Sequence, residues 1–138
     1  MNKPLRSWWH ELNTWDPESA IEFYTRTLGW QFQDTDLPDG SQYWIATKDG
    51  APVGGIFGLT EPEYNGIPSH WMTYMTVDDI GQAEKATAYA GGEITRPSTQ
   101  IPGVGKLAVV TDVSGALIGL IQPDPTHALA DLPQAQAH

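Results

Sequence analysis

Two hydrophobic periods alternate along the chain. Ala20, Phe23, Tyr24 and Leu28 recur at helical spacing. Asp16 before them can accept from the first backbone N–H groups of a helix, and Pro17 suits the first helical position. Gly29 can end the helix in the left-handed conformation, so residues 16–28 are predicted helical. A second helix is predicted from Asp79. Gln82 three residues on completes a capping-box pattern, Ile80, Ala83, Ala86 and Ala90 make a narrow apolar stripe, and Gly91-Gly92 stops it. The two caps lie 63 residues apart (79 − 16) and the two terminating glycines 62 apart (91 − 29). Matched start and stop signals at one offset point to an internal duplication.

The flanking segments repeat as well. Ser7–Thr14 precedes the first helix and the β-favouring run His70–Val77 the second. After the first helix come strands at Trp30–Asp34, Gln42–Thr47 and Val53–Leu59, separated by turns at Leu37-Pro38-Asp39-Gly40 and Asp49-Gly50. After the second come Glu93–Arg96, a loop at Ile101–Gly105, Lys106–Thr111, a Ser114-Gly115 turn and Ala116–Gln122. Each half therefore reads strand, helix, strand, strand, strand. Residues 50–55 and 115–120 align at an offset of 65 (115 − 50). The expected organisation is one domain over 1–123, with units 7–59 and 70–122 and a Pro-, Gly- and Glu-rich linker 60–69. Residues 124–138 read as a loose tail.

Composition narrows the function classes. With 138 residues there is room for one core. No apolar run approaches the roughly 20 residues of a membrane span, and no apolar segment follows the first residues as in a signal peptide. Cysteine is absent, which removes disulfides and thiolate catalysis and makes the cytoplasm the expected location. A net charge of −10 argues against nucleic acid and anionic lipid as partners. Six tryptophans and five tyrosines are enough to line a ligand cavity as well as a core. Gly103-Val104-Gly105 precedes no capped helix and is a turn, not a phosphate loop.

The run Glu-Leu-x-Thr-x-Asp-Pro-x-x-Ala-x-x-Phe-Tyr-x-x-x-Leu-Gly-Trp, at Glu11–Trp30, resembles the first unit of the vicinal oxygen chelate (glyoxalase/bleomycin-resistance/dioxygenase) superfamily. Trp71–Asp79, Gly91-Gly92, Ile101–Gly105 and Asp112–Ala116 are similar to its second unit. The resemblance implies an α+β fold: two βαβββ units forming an incomplete barrel, or cup, with helices packed outside. It also implies a homodimer. It leaves the function open, because the same fold serves lyases, dioxygenases, epimerases and drug-binding proteins.

Enzymes of that superfamily usually hold one divalent cation in the cup. Its ligands lie seven residues before each helix-capping Asp and four after each turn glycine. Those places hold Trp9, Met72, Gly54 and Gly119, none of which offers a side-chain ligand to such an ion. No metal or other cofactor is expected, a divalent metal with atypical ligands being the alternative. A slip of one residue would bring His10 to the first place, but it would also turn every side chain of the strand to the other face. His10 is thus expected behind the sheet.

In the favoured register Trp9, Glu11 and Asn13 face the cup on one strand, and His70, Met72 and Tyr74 on its counterpart. Tyr43 or Trp44 adds a wall, and Ile56 and Ile121 part of the floor. The expected ligand-binding residues are Trp9, Glu11, Asn13, Tyr43, His70, Met72 and Tyr74. Glu11, with Tyr74 as its counterpart 63 residues on (74 − 11), either bonds Tyr74 and simply satisfies a buried polar strand, or is the recognition anchor of a ligand, or is an acid/base catalyst. Two readings follow. One is a metal-independent protein that binds a small, partly apolar or aromatic molecule. The other is a glyoxalase-like lyase or dioxygenase, working through atypical metal ligands or through Glu11.

Overall fold

A computed structural model describes residues 8–125. The expected tail falls mostly outside these residues, as does Ser7 at the start of the first expected strand. Contacts divide the described residues inside two of the strands: residues 10–72 form a first unit, and residues 8–9 with 73–125 a second.

The first unit runs β1 (Trp8–Thr14), α1 (Pro17–Leu28), β2 (Gln31–Asp36), β3 (Gln42–Lys48) and β4 (Ala51–Gly58). The Asp16 carboxylate accepts from the Ser19 N–H at 3.1 Å and the Ser19 hydroxyl at 2.8 Å, fixing the start of α1. Gly29, at φ 72°, donates to Thr25 O, and Trp30 N–H reaches Tyr24 O, closing the other end. The strands lie in the order β2-β3-β4-β1, with β1 and β4 parallel and the other pairs antiparallel. Edge strand β2 is polar and largely exposed, with Asp34 and Asp36 blunting its free side.

The second unit repeats this plan with β5 (His70–Thr76), α2 (Ile80–Tyr89), β6 (Glu93–Ile101), β7 (Gly105–Thr111) and β8 (Leu117–Pro123), ordered β5-β8-β7-β6. Again the first and last strands pair in parallel. The α+β class and the doubled strand-helix-strand-strand-strand plan are as expected. Two details differ. Strand β6 continues to Ile101 instead of stopping at Arg96. Pro97 is tolerated because β6 is an edge strand whose register against β7 shifts on both sides of Arg96. Strand β4 carries a bulge: Ala46 pairs with Gly54 and Thr47 with Pro52, leaving Val53 as an extra residue. Among the described residues no helix is long and apolar enough to cross a membrane.

The caps make two predictions. Asp79 accepts from Gln82 N–H at 3.0 Å, and Asp79→Ala is expected to cost about 1 kcal/mol, read from denaturant midpoints. Hydrogen bonds from the Ser19 hydroxyl and N–H hold the Asp16 carboxyl below its usual pKa, and the Ser114 hydroxyl does the same for Asp112 in the β7–β8 turn. Depressed carboxyls stabilise the fold above the ordinary carboxylate range, and the effect is lost as pH falls through their folded values. Stability should therefore drop below about pH 4. The drop should be shallower in Asp16→Asn/Asp112→Asn, as urea melts across pH would read.

Candidate functional site

Which face each residue takes follows from where the helix packs. Gly58 lies against Pro17 of α1, so the even-numbered positions of β4 face the helix. Leu12 pairs with Ile56, and both are buried on that side. Ile56 is thus not part of the expected floor, because strand alternation turns it to α1. Trp44 pairs with Ile56 and shares its face. Trp71 also lies on the helix side, where its indole N–H donates to the Tyr24 hydroxyl at 3.2 Å.

The opposite face of the first sheet carries Glu11 and Asn13 on β1, Tyr43 on β3, and Gly55 and Phe57 on β4, joined by the pairings Glu11↔Gly55, Asn13↔Phe57 and Tyr43↔Phe57. Glu11 is 0% exposed and Asn13 4%. Tyr43, wholly buried, lays its phenol over Gly55, so closely that a Cβ at Gly55 would overlap it. Phe57 meets the Tyr64 ring edge-on at 5.6 Å between centroids. Met72 is buried. His70 is half-buried, and its Nδ1 is 2.8 Å from Pro68 O. His10 alternates with Glu11 and so lies behind the sheet as expected, but it is exposed there rather than packed.

The second unit has the equivalent surface. Tyr74 pairs with Gly119, and its ring occupies the space a Cβ at Gly119 would need. Ile121 pairs with Thr76 and with Leu107 on the same face. Trp9, Tyr74, Ile121 and Leu107 are all buried.

Two buried polar atoms stand out on these faces. Asn13 Nδ2 and Thr76 Oγ1 have no hydrogen-bond partner among the described residues. The two are counterparts at the repeat offset of 63 (76 − 13). Thr76 was not foreseen, although that offset applied to Asn13 leads to it. A buried amide N–H without an acceptor costs about 1–3 kcal/mol, so a site here gains by receiving one.

The Val53 bulge also corrects a sequence count. Gly119 corresponds to Gly55, since these pair with the counterparts Tyr74 and Glu11. Gly54, four residues after Gly50, is displaced to the other face by the extra residue.

A family profile for the Glyoxalase/Bleomycin resistance protein/Dioxygenase superfamily matches residues 9–120. The chain belongs to that superfamily. Among its relatives, the glyoxylase-named protein CFP32 of Mycobacterium tuberculosis is 34% identical over 117 residues, covering 85% of this chain. The anthracycline biosynthesis protein DnrV of Streptomyces peucetius is 27% identical over 119 residues, covering 78% of this chain. The chain spans less than half the length of both relatives, 44% and 43%. The crystal structure of methylmalonyl-CoA epimerase from M. tuberculosis shares the fold, with a TM-score of 0.64 at 15% identity over 91% of this chain and 93% of that one.

The superfamily's divalent cation does not fit the residues at its four places. Trp9 and Met72 supply no hard donor, and at Gly55 and Gly119 the rings of Tyr43 and Tyr74 fill the space of a ligand side chain. Among the described residues no three His, Cys, Asp or Glu side chains group as metal ligands do.

Proposed function

We propose that this superfamily member binds a small, partly aromatic molecule without a divalent metal, through the face of the first sheet that carries Glu11, Asn13 and Tyr43. The observation that carries the reading is that the rings of Tyr43 and Tyr74 stand where Cβ atoms at Gly55 and Gly119 would be. An aromatic wall with a few fixed polar groups suits a flat apolar ligand that also carries oxygen. Asn13 Nδ2 would donate to a ligand carbonyl, and Glu11 would accept from a ligand hydroxyl. A relative named for anthracycline biosynthesis supports a fused aromatic ring system as the class to try first.

The acid/base reading keeps one point in favour: Glu11 is a wholly buried carboxyl group on the same strand face as the buried Asn13 amide. In that reading Glu11 moves a proton on a bound carbonyl compound, which again needs no metal.

The test has two parts. Protein purified without added metal is analysed for Fe, Zn, Ni and Mn, and substoichiometric content is expected. The protein is then titrated with 1,4-dihydroxyanthraquinone while its melting temperature is followed. A saturable rise is expected, since a ligand of the folded state stabilises by mass action. Stoichiometric metal that a chelator removes with loss of binding would refute the proposal. Turnover of the hemithioacetal of glutathione and methylglyoxal, abolished in Glu11→Gln, would move the assignment to the enzyme reading.

A further inference from the structure

The segment between β4 and β5 folds back on the end of β1 and forms a concavity. An open groove of about 450 Å³ is lined by Trp15, Glu61, Asn65, Gly66, Ile67 and Pro68. Its frame is fixed by hydrogen bonds. Trp15 N–H donates to Ser69 Oγ at 3.1 Å, and Ser69 Oγ reaches Thr14 Oγ1 at 3.2 Å. The Trp15 indole N–H donates to Ile67 O at 2.6 Å. Turn bonds from Tyr64 to Thr60, from Asn65 to Pro62 and from Ile67 to Tyr64 order the rest. The indole therefore has a fixed orientation and its only donor is used. What remains to offer a ligand is its π surface, with the residue 39% exposed.

The one charged residue lining this groove is acidic, and His70, whose Nδ1 is 2.8 Å from Pro68 O, is the basic residue beside it. Glu61 has no hydrogen-bond or ion-pair partner among the described residues, and no Lys, Arg or His occurs between residues 59 and 69. Glu63 lies in the same turn, and Asp16, next to Trp15, has its pKa lowered and so stays ionised. An indole face beside a carboxylate, in a negative field, is complementary to an organic cation. Ile67 and Pro68 add apolar walls that suit methyl groups on that cation. We propose that the Trp15–Glu61 groove is a binding site for a small alkylated ammonium ion, separate from the Glu11 face.

The proposal is tested on the full chain by ¹H–¹⁵N spectroscopy of the indole N–H groups. The Trp15 resonance is identified by its loss in Trp15→Phe. Choline is then titrated against its neutral isostere, 3,3-dimethylbutan-1-ol. Choline is expected to shift the Trp15 resonance saturably, with a dissociation constant in the millimolar range, on the order of one cation–π contact plus one carboxylate. The neutral isostere should bind at least about fivefold more weakly, as should choline to Glu61→Gln, because removing either charge removes the electrostatic attraction. Glu61 is exposed, so this variant folds. No saturable shift by about 50 mM choline overturns the proposal. So does equal binding of the isostere, or unchanged choline binding in Glu61→Gln.

Discussion

Gly119→Ala is expected to destabilise the protein by about 1–3 kcal/mol, the range for forcing an extra group into a packed core. The new Cβ would overlap the ring of Tyr74, which is wholly buried and has nowhere to move without disturbing its neighbours. Gly55→Ala should behave alike against Tyr43. If ring overlap is the cause, Gly119→Ala and Tyr74→Leu will be strongly less than additive when combined, because the smaller side chain frees the space. Gly81→Ala is the contrasting substitution. Its Cβ would meet only Asp79 Oδ1 at 3.4 Å, an ordinary contact, and it lies inside α2. It should stabilise by about 0.5–1 kcal/mol, the usual gain of alanine over glycine within a helix. Urea midpoints of the four single variants and of the combined Gly119→Ala/Tyr74→Leu decide the matter. Equal effects at Gly119 and Gly81 would mean that the tyrosine does not fill the place of the lost ligand side chain.

Glu11→Gln should weaken binding of 1,4-dihydroxyanthraquinone by about tenfold or more, since a mismatched buried polar contact costs about 1–3 kcal/mol and 1.4 kcal/mol is one decade. Glutamine keeps the shape of the side chain, so the fold should persist. The carboxylate accepts where the amide nitrogen donates, and a ligand hydroxyl distinguishes the two. A purely structural Glu11 predicts the opposite pair of results, a changed melting temperature with unchanged affinity. Asn13→Ala gives a second reading of the same face. It removes a buried donor that has no partner among the described residues, so it should weaken the ligand with little cost to the fold. Asn13→Ala without effect on affinity would take that amide out of the site.

Much of the architecture was legible in the chain because its signals are local. Asp16, Pro17 and Gly29 act on backbone groups within one turn of themselves, so a helix over these residues follows without reference to the rest of the protein. Asp79 and Gly91 do the same, and the nearly equal spacing of the two sets exposes the duplication. The side on which Glu11 and Asn13 lie was also legible. Strand alternation counted back from a fixed helix start leaves little freedom.

What needed the tertiary structure depends on partners distant in sequence. The bulge at Val53 exists only in the pairing of β3 with β4, and it alone decides that Gly55, not Gly54, stands opposite Glu11. Pro97 reads as a strand breaker until β6 is seen to be an edge strand whose register shifts around it. Ile56 was assigned to the wrong face because the count along β4 carried the same missing residue. The space filled by the tyrosine rings is likewise invisible in sequence. Gly119 read only as a place without a ligand side chain and Gly55 carried no reading, whereas at both the absence of a Cβ makes room for a ring brought from another strand. The fold of each unit was thus set by short-range signals, and the chemistry of its face by close packing between strands that the chain separates by up to 45 residues (119 − 74).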